Sequence, residues 1–172
     1  MRYYIGNRSG KARLSDEWEA LSSYVDIQRI RFQDRIFFSM ETADEVGLET
    51  FEVPPLILQP IVENAIHHGM ERQSENGRIT IEAMPCETGA CVVIRDNGKG
   101  ISEEIMRCLE RGEYGGISSE GSGIGMQNVI RRMECFFGRS DLIKIDSAPG
   151  RGTAVTLMIP EESEKADEGS NC

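Results

Sequence analysis

The chain has 172 residues and a formal net charge of -10. That length holds one globular domain with a sizeable core and a helix or tail besides, and the acidic balance argues against nucleic acid, whose binders present a basic face. No stretch is long and apolar enough to predict a membrane span, and the opening "MRYYIGNRSGKARL" lacks the apolar segment of a signal peptide.

In chain order, "LSDEWEALSSYVDIQRIRFQDR" predicts a helix: Ser15 stands before Asp16 and Glu17, an acidic first turn. Leu14, Trp18, Leu21, Val25 and Ile30 recur near helical spacing. "RIFFSME" predicts a strand, and "DEVGLETFEVPP" a loop whose prolines prepare the next helix, over residues 56–69. "RITIEAM" and "CVVIRD" predict two strands joined by the turn "PCETGA". "SEEIMRCLERG" predicts a helix with Ser102 as its cap and Gly112 as its stop. A glycine- and serine-rich stretch comes next, expected to be flexible, and then a helix over "GIGMQNVIRRMECFFG" with Met126, Val129, Ile130, Met133 and Phe137 on one stripe. The strands "LIKID" and "TAVTLMIP" close the domain, and the polar residues 161–172 are expected to be disordered. The hairpin in the middle implies a mixed sheet rather than a doubly wound parallel one.

The cysteines Cys86, Cys91, Cys108, Cys135 and Cys172 are odd in number and form no CxxC pair. They are expected to be reduced thiols of a cytoplasmic protein, with a bridge between Cys86 and Cys91 across their hairpin as the one alternative.

Three stretches carry unusual chemistry. In "QPIVENAIHHG", a wheel at 100° per residue puts Leu58, Ile61, Val62 and Ala65 on one face. Pro60, Asn64 and His67 take the opposite face, with Glu63 and His68 flanking. Asparagine is a poor helix former, so this face is either a solvated surface or aimed at a ligand. In "VVIRDNGKGI", Asp96 ends a strand, and Gly98 and Gly100 permit an open turn with exposed backbone; a carboxylate there can accept from an exocyclic amine, or the stretch is a plain turn. In "EGSGIGMQNVI", Gly121, Gly123 and Gly125 lead into a helix whose N–H groups favour phosphate, or they form a plain linker. No apolar strand precedes these glycines and no Lys-Ser or Lys-Thr comes after them, so neither the dinucleotide fingerprint nor the P-loop fits.

Taken in order, "ENAIHHG", "DNGKG", "GSGIGMQN" and the final "GRGTAV" resemble the N, G1 and G2 boxes and the closing strand of the GHKL ATP-binding fold. "PPLILQPIVENAIHHG" is similar to the wording of LytS/YesM-type sensor histidine kinases. The likeness runs from about Leu14 to Pro160. It implies an α+β, two-layer α/β sandwich of the Bergerat type: a mixed, mostly antiparallel sheet of about five strands with about three helices on one face. It also implies a division into residues 1–32 as a linker helix from the phosphoacceptor region, 33–160 as the ATP-binding catalytic domain, and 161–172 as a tail.

By the same resemblance, ATP and Mg²⁺ are the cofactors, and Asn64 is the Mg²⁺ ligand. Glu63, Asn64 and His67 form the candidate catalytic set. His67, which stands where related kinases often carry a phosphate-binding Lys, and His68 border the phosphates. Asp96 accepts from the adenine amine, Gly98, Gly100 and Ile101 let backbone approach the base, and Thr153 helps close that site. Gly121, Ser122, Gly123, Ile124, Gly125 and Met126 form the hinge of a lid. Arg131 and Arg132 reach phosphate or pair along their own helix. ATPases of the gyrase kind carry a water-activating Glu one turn before the Asn; here that position is Pro60, and Glu63 points about 100° away from Asn64, which favours phosphoryl transfer over hydrolysis. The implied partners are an acceptor histidine on an upstream segment, in cis or on a dimer partner, and a response regulator, with the whole protein membrane-anchored. The alternative is a stand-alone regulatory binding protein or serine kinase of the anti-sigma-factor type.

Overall fold

The computed structural model describes residues 10–70, 76–111 and 124–161. Its elements are β1 (Ala12–Arg13), α1 (Leu14–Phe32), β2 (Ile36–Thr42), β3 (Glu52–Val53), α2 (Gln59–Asn64), β4 (Gly77–Cys86), β5 (Gly89–Asp96), α3 (Glu103–Arg111), α4 (Ile124–Phe137), β6 (Ile143–Ser147) and β7 (Thr153–Pro160). Single 3-10 turns occupy Gln33–Arg35 and Leu48–Thr50. Past α2 the helix continues over Ala65–Met70 as a wider π-type turn.

Five strands form one sheet in the order β2-β4-β5-β7-β6. Only the β2–β4 pair is parallel. β1 and β3 pair separately. The expected mixed, mostly antiparallel sheet is therefore found, together with a small two-stranded ribbon inside what reads in sequence as a loop. Alternation fixes the buried face. Ile79, Ile81 and Ala83 on β4, Ala90, Val92 and Ile94 on β5, and Val155, Leu157 and Ile159 on β7 all enter one core. Leu14, Leu21 and Val25 of α1, Ile61 and Val62 of α2, and Met126, Val129, Met133 and Phe137 of α4 cover it. The structure is thus the two-layer α/β sandwich expected, with α1 packed into the same core as the sheet.

α1 begins at Leu14 with Asp16 and Glu17 in its first turn, as expected, but its apolar stripe departs from the expected one at Ile30. The residue before the helix is Arg13, extended and without a side-chain cap, while Ser15 lies inside the helix. The reason is that β1 delivers the chain with the Leu14 N–H already bonded to the Phe51 carbonyl at 2.9 Å. Ile30 is 78% exposed, whereas Glu17 and Gln28 are buried, so the inward stripe is Leu14, Glu17, Leu21, Val25 and Gln28. A glutamate turns inward because its carboxylate accepts the N–H groups of Leu56, Ile57 and Leu58 at 2.8, 2.9 and 3.4 Å. A buried N–H left unpaired costs about 1–3 kcal/mol, so Glu17 pairs the backbone of the segment that leads into α2.

The helix predicted over 56–69 accordingly starts at Gln59. Leu56 holds φ +60°, outside helical space, and its N–H goes to Glu17. On the hairpin between β4 and β5, Cys86 and Cys91 are free thiols, so the alternative bridge is not formed.

Candidate functional site

Asp96 ends β5 and pairs in register with Thr153, the first residue of β7. Its Oδ1 accepts the Gly98 N–H at 2.8 Å. Burial pushes the Asp96 carboxyl above its ordinary range, while hydrogen bonds from Gly98 and from the backbone and hydroxyl of Thr153 oppose that rise. Around it the loops interlock. The Ile101 N–H donates to Ser147 Oγ at 2.9 Å, Ser147 Oγ donates to the Gly152 carbonyl at 2.8 Å, and Ser147 lies 3.0 Å from Thr153 Oγ1. The Gly150 N–H donates to the Lys99 carbonyl at 2.7 Å. Asn97 ties the same corner to β4, its Oδ1 accepting the Arg78 N–H at 2.7 Å.

Glycine is required at two positions here. Gly100 has φ +69°, and a Cβ on it would stand 2.0 Å from the Ala148 carbonyl oxygen. Gly152 has φ +77°, and its Cβ would stand 2.0 Å from the Asp96 carbonyl oxygen. The backbone of 96–101 and that of 148–153 therefore touch directly. Sequence pointed to Asp96, Gly98, Gly100, Ile101 and Thr153, and the structure brings all five into this corner. It did not point to Ser147, which no short motif marks, and Gly152 stood there only within "GRGTAV", with no role of its own.

Asn64 closes α2. α2 packs against α4, and the π-type turn after Asn64 packs against β5. Asn64 Nδ2 is buried and, among the described residues, has no hydrogen-bond partner. A Cβ on Gly125 would stand 3.2 Å from Asn64 Nδ2 and 3.3 Å from Oδ1. Glycine at this position therefore lets α4 approach the Asn64 amide closely. The predicted inward face is correct, since Leu58, Ile61, Val62 and Ala65 are all buried. The wider turn then alters the phase beyond Asn64. His67 is exposed.

Glu63 is not directed as Asn64 is. Its carboxylate accepts from Gln59 Nε2 at 2.8 Å. The Tyr24 hydroxyl of α1 is pushed up in pKa, first by burial and then by the charge of Glu63. Met126 is buried in the core beneath α4. Arg132 Nη1 donates to the carbonyls of Pro55 and Leu56 at 2.9 and 3.4 Å rather than pairing along its own helix. Gly121, Ser122 and Gly123, and the side chains of His68 and Ile124, lie outside the described residues, as do residues 162–172. A separate pocket of about 400 Å³ opens between α3, α4 and β6, lined by Met106, Leu109, Ile130, Met133, Leu142 and Ile145 among others. None of the candidate site residues lines it. Among the described residues no helix is long and apolar enough to cross a membrane.

An acidic strand end thus sits in an interlocked glycine corner, and an unpartnered asparagine amide lies on the helix above the same sheet. The family model for histidine kinase-, DNA gyrase B- and HSP90-like ATPases matches residues 55–163. The chain belongs to that family, and ATP is the ligand such a domain binds. Within it the likeness is to sensor histidine kinases of the LytS and YesM type. Sensor protein LytS of Oceanobacillus iheyensis is 31% identical over 86% of this chain and 25% of its own length. Sensor histidine kinase YesM of Bacillus subtilis is 31% identical over 95% of this chain and 26% of its own length. The chain thus spans about a quarter of the curated relatives it matches. Among solved structures, the catalytic domain of histidine kinase ThkA superposes with a TM-score of 0.60 at 20% identity, covering 90% of this chain and 97% of that one. ThkA has also been solved in complex with the response regulator TrrA, with a TM-score of 0.58 at 21% identity over 90% of this chain and 42% of that chain.

Proposed function

We propose that this chain is the ATP-binding catalytic domain of a two-component sensor histidine kinase. It transfers the γ-phosphoryl group of ATP to a histidine on an upstream segment, in cis or on a dimer partner, from which the group passes to an aspartate of a response regulator. The catalytic unit is 33–160, α1 joins it to the phosphoacceptor region, and 161–172 is a tail; the whole protein is a membrane-anchored dimer with this part in the cytoplasm. Family membership and the LytS and YesM likeness support this reading. The ThkA complex with its regulator fits the relay.

The observation that carries the site assignment is the buried, unpartnered amide of Asn64 against Gly125. A buried amide hydrogen that finds no partner in the protein is expected to find one in a ligand. Amide oxygen and nitrogen exchange by a half-turn of the side chain, so the same group can present a neutral oxygen to a cation. Such a donor fits Mg²⁺, which takes most of its ligands from phosphate and water. When bound, Mg²⁺ neutralises charge on the transferring phosphoryl group.

The residues of this chain do the rest. Asp96 accepts from the adenine amine, and the backbone at Gly98, Gly100 and Ile101, with Thr153, borders the base. His67 and His68 donate to phosphate. Gly121, Ser122, Gly123, Ile124, Gly125 and Met126 bring the lid over the phosphates, with Met126 anchoring its hinge in the core. Glu63, held by Gln59, orients the helix beside Asn64 rather than activating water. Transfer then rests on positioning and electrostatics.

The experiment is calorimetric titration of the chain with a non-hydrolysable ATP analogue, with and without Mg²⁺, and then phosphotransfer from ATP to an added upstream segment. Tight binding that Mg²⁺ strengthens supports the reading; no binding in either condition would sink it.

A further inference from the structure

Two side chains outside the candidate nucleotide contacts hold the backbone that leads into α2. From α1, the buried Glu17 accepts the N–H groups of Leu56, Ile57 and Leu58. From α4, Arg132 donates to the carbonyls of Pro55 and Leu56. Leu56, gripped on both its N–H and its carbonyl, has φ +60°, a conformation that leucine does not hold without such restraint.

The regular part of the helix held by this clamp is short. α2 has six residues, and Asn64 is its last before the chain widens into the π-type turn Ala65–Met70. Hydrogen bonds of one short turn fix little by themselves, so the placement of Asn64 depends on what the segment is packed against. Ile61 and Val62 seat it in the core, and the π-type turn rests on β5. The clamp holds its entry, and the seam with α4, where Gly125 meets the Asn64 amide, holds its far end. Arg132 and Gly125 sit on one helix, α4, so α4 touches the α2 segment at both ends. Glu17 ties the same segment to α1. A shift of α1 relative to α4 must therefore pull on the backbone that carries Asn64.

We infer that Glu17 and Arg132 are positioning residues for Asn64. They clamp Pro55–Leu58 between α1 and α4, and through that backbone they set the phosphate end of the site without touching nucleotide. The inference rests on the assignment of Asn64 to Mg²⁺ and phosphate. The adenine end does not depend on the clamp, because Asp96, Ser147 and Gly152 are held by loop contacts of their own. A clamp that served stability alone would not distinguish the two ends.

The test uses the full chain with Glu17→Gln, Arg132→Met and the double substitution. Glu17→Gln keeps the side-chain shape and one acceptor, and Arg132→Met changes an exposed residue, so one variant remains usable if the other does not fold. The first measurement is the position of the Asn64 side-chain amide resonances in a ¹⁵N spectrum without nucleotide, assigned by their loss in Asn64→Ala. The second is affinity for AMP-PNP, with and without Mg²⁺, and for adenosine, each well below the variant's melting temperature.

Each single substitution is expected to move the Asn64 resonances and to weaken Mg²⁺-dependent AMP-PNP binding by about tenfold, leaving adenosine affinity unchanged. Because both residues act on one segment, the double variant should lose less than the product of the two. Unmoved Asn64 resonances, or equal losses for adenosine and AMP-PNP, would overturn the inference. If the unsubstituted chain binds no AMP-PNP, the proposed function fails and the phosphate part of the inference with it. The resonances then decide by themselves whether the clamp positions Asn64.

Discussion

The Asp96 corner and the Asn64 seam belong to one candidate site but are built differently. At the corner the chain satisfies itself. Asp96 has Gly98 and Thr153, Ser147 has Ile101 and Gly152, and two glycines bring the backbones into contact. At the seam the Asn64 amide is buried with no partner for its nitrogen among the described residues. One end pairs its own polar groups; the other buries an amide nitrogen that no described residue pairs. Such a division suits recognition of a rigid base by a preformed wall, and of phosphates by groups that engage on binding.

The corner is where substitution should do most damage. Gly152→Ala places a Cβ 2.0 Å from the Asp96 carbonyl oxygen at φ +77°. The expected loss is about 3 kcal/mol or more, from strain and displaced backbone together. Gly150→Ala is the comparison, since Gly150 has φ +75° but nothing within 4 Å of its Cβ position. It should lose only about 1–2 kcal/mol, the conformational cost alone. Urea unfolding of both variants separates the terms; equal losses would mean that the corner yields easily and is no preformed wall.

The seam should respond in the opposite sense. Asn64→Ala removes a buried amide that lacks a partner, so the melting temperature without ligand should hold or rise. Nucleotide affinity in Mg²⁺ should fall on the order of a hundredfold, toward the metal-free value. Calorimetry with and without Mg²⁺ checks this, and an unchanged metal dependence would remove Asn64 from the phosphate site.

The contrast also explains what sequence could and could not reveal. Strand alternation marked the buried faces of β4 and β7, because Ile79 and Ile81, or Leu157 and Ile159, repeat every second residue. The inward face of α2 was legible for the same kind of reason. Asn64 stood out as a poor helix former inside a helix, and Asp96 as a carboxylate at a strand end before a glycine turn, which a plain turn would also explain. The features that stayed hidden depend on contacts distant in the chain. Ser147 is an unremarkable serine until Ile101 and Gly152 bond to it. Glu17 looked like a first-turn acid, and only its bonds to Leu56–Leu58 show why it turns inward while Ile30 faces out. β1 and β3, two residues each, are too short to carry any period.

A smaller effect tests the adenine end. Burial holds the Asp96 carboxyl above its ordinary range. The folded state then keeps this proton to higher pH than the unfolded chain does. Stability from this group therefore falls as pH rises from the ordinary carboxylate range through the raised one, and at neutral pH the ionised Asp96 is a net cost. Asp96→Asn should remove that slope and slightly raise the melting temperature at neutral pH. It should also weaken adenosine about tenfold while leaving inorganic triphosphate unaffected. Equal losses for the two ligands would count against the adenine assignment.

The finest test lies where α4 meets Asn64. Gly125→Ala should help α4 slightly, by less than the roughly 0.5–1 kcal/mol of a helix interior, since Gly125 lies in its first turn. Its Cβ, however, falls 3.2 Å from Asn64 Nδ2, so the amide must give way by about a few tenths of an ångström. These effects nearly cancel in stability but not in function. Little change in melting temperature should accompany a loss of about fivefold in Mg²⁺-dependent nucleotide affinity, because a ligand must sit accurately to be worth its full interaction. Adenosine binding, which depends on the Asp96 corner, should be untouched. If Gly125→Ala instead binds nucleotide as tightly as the unsubstituted chain, the close approach at this seam is packing alone, and the two ends of the site are more alike than their hydrogen bonding suggests.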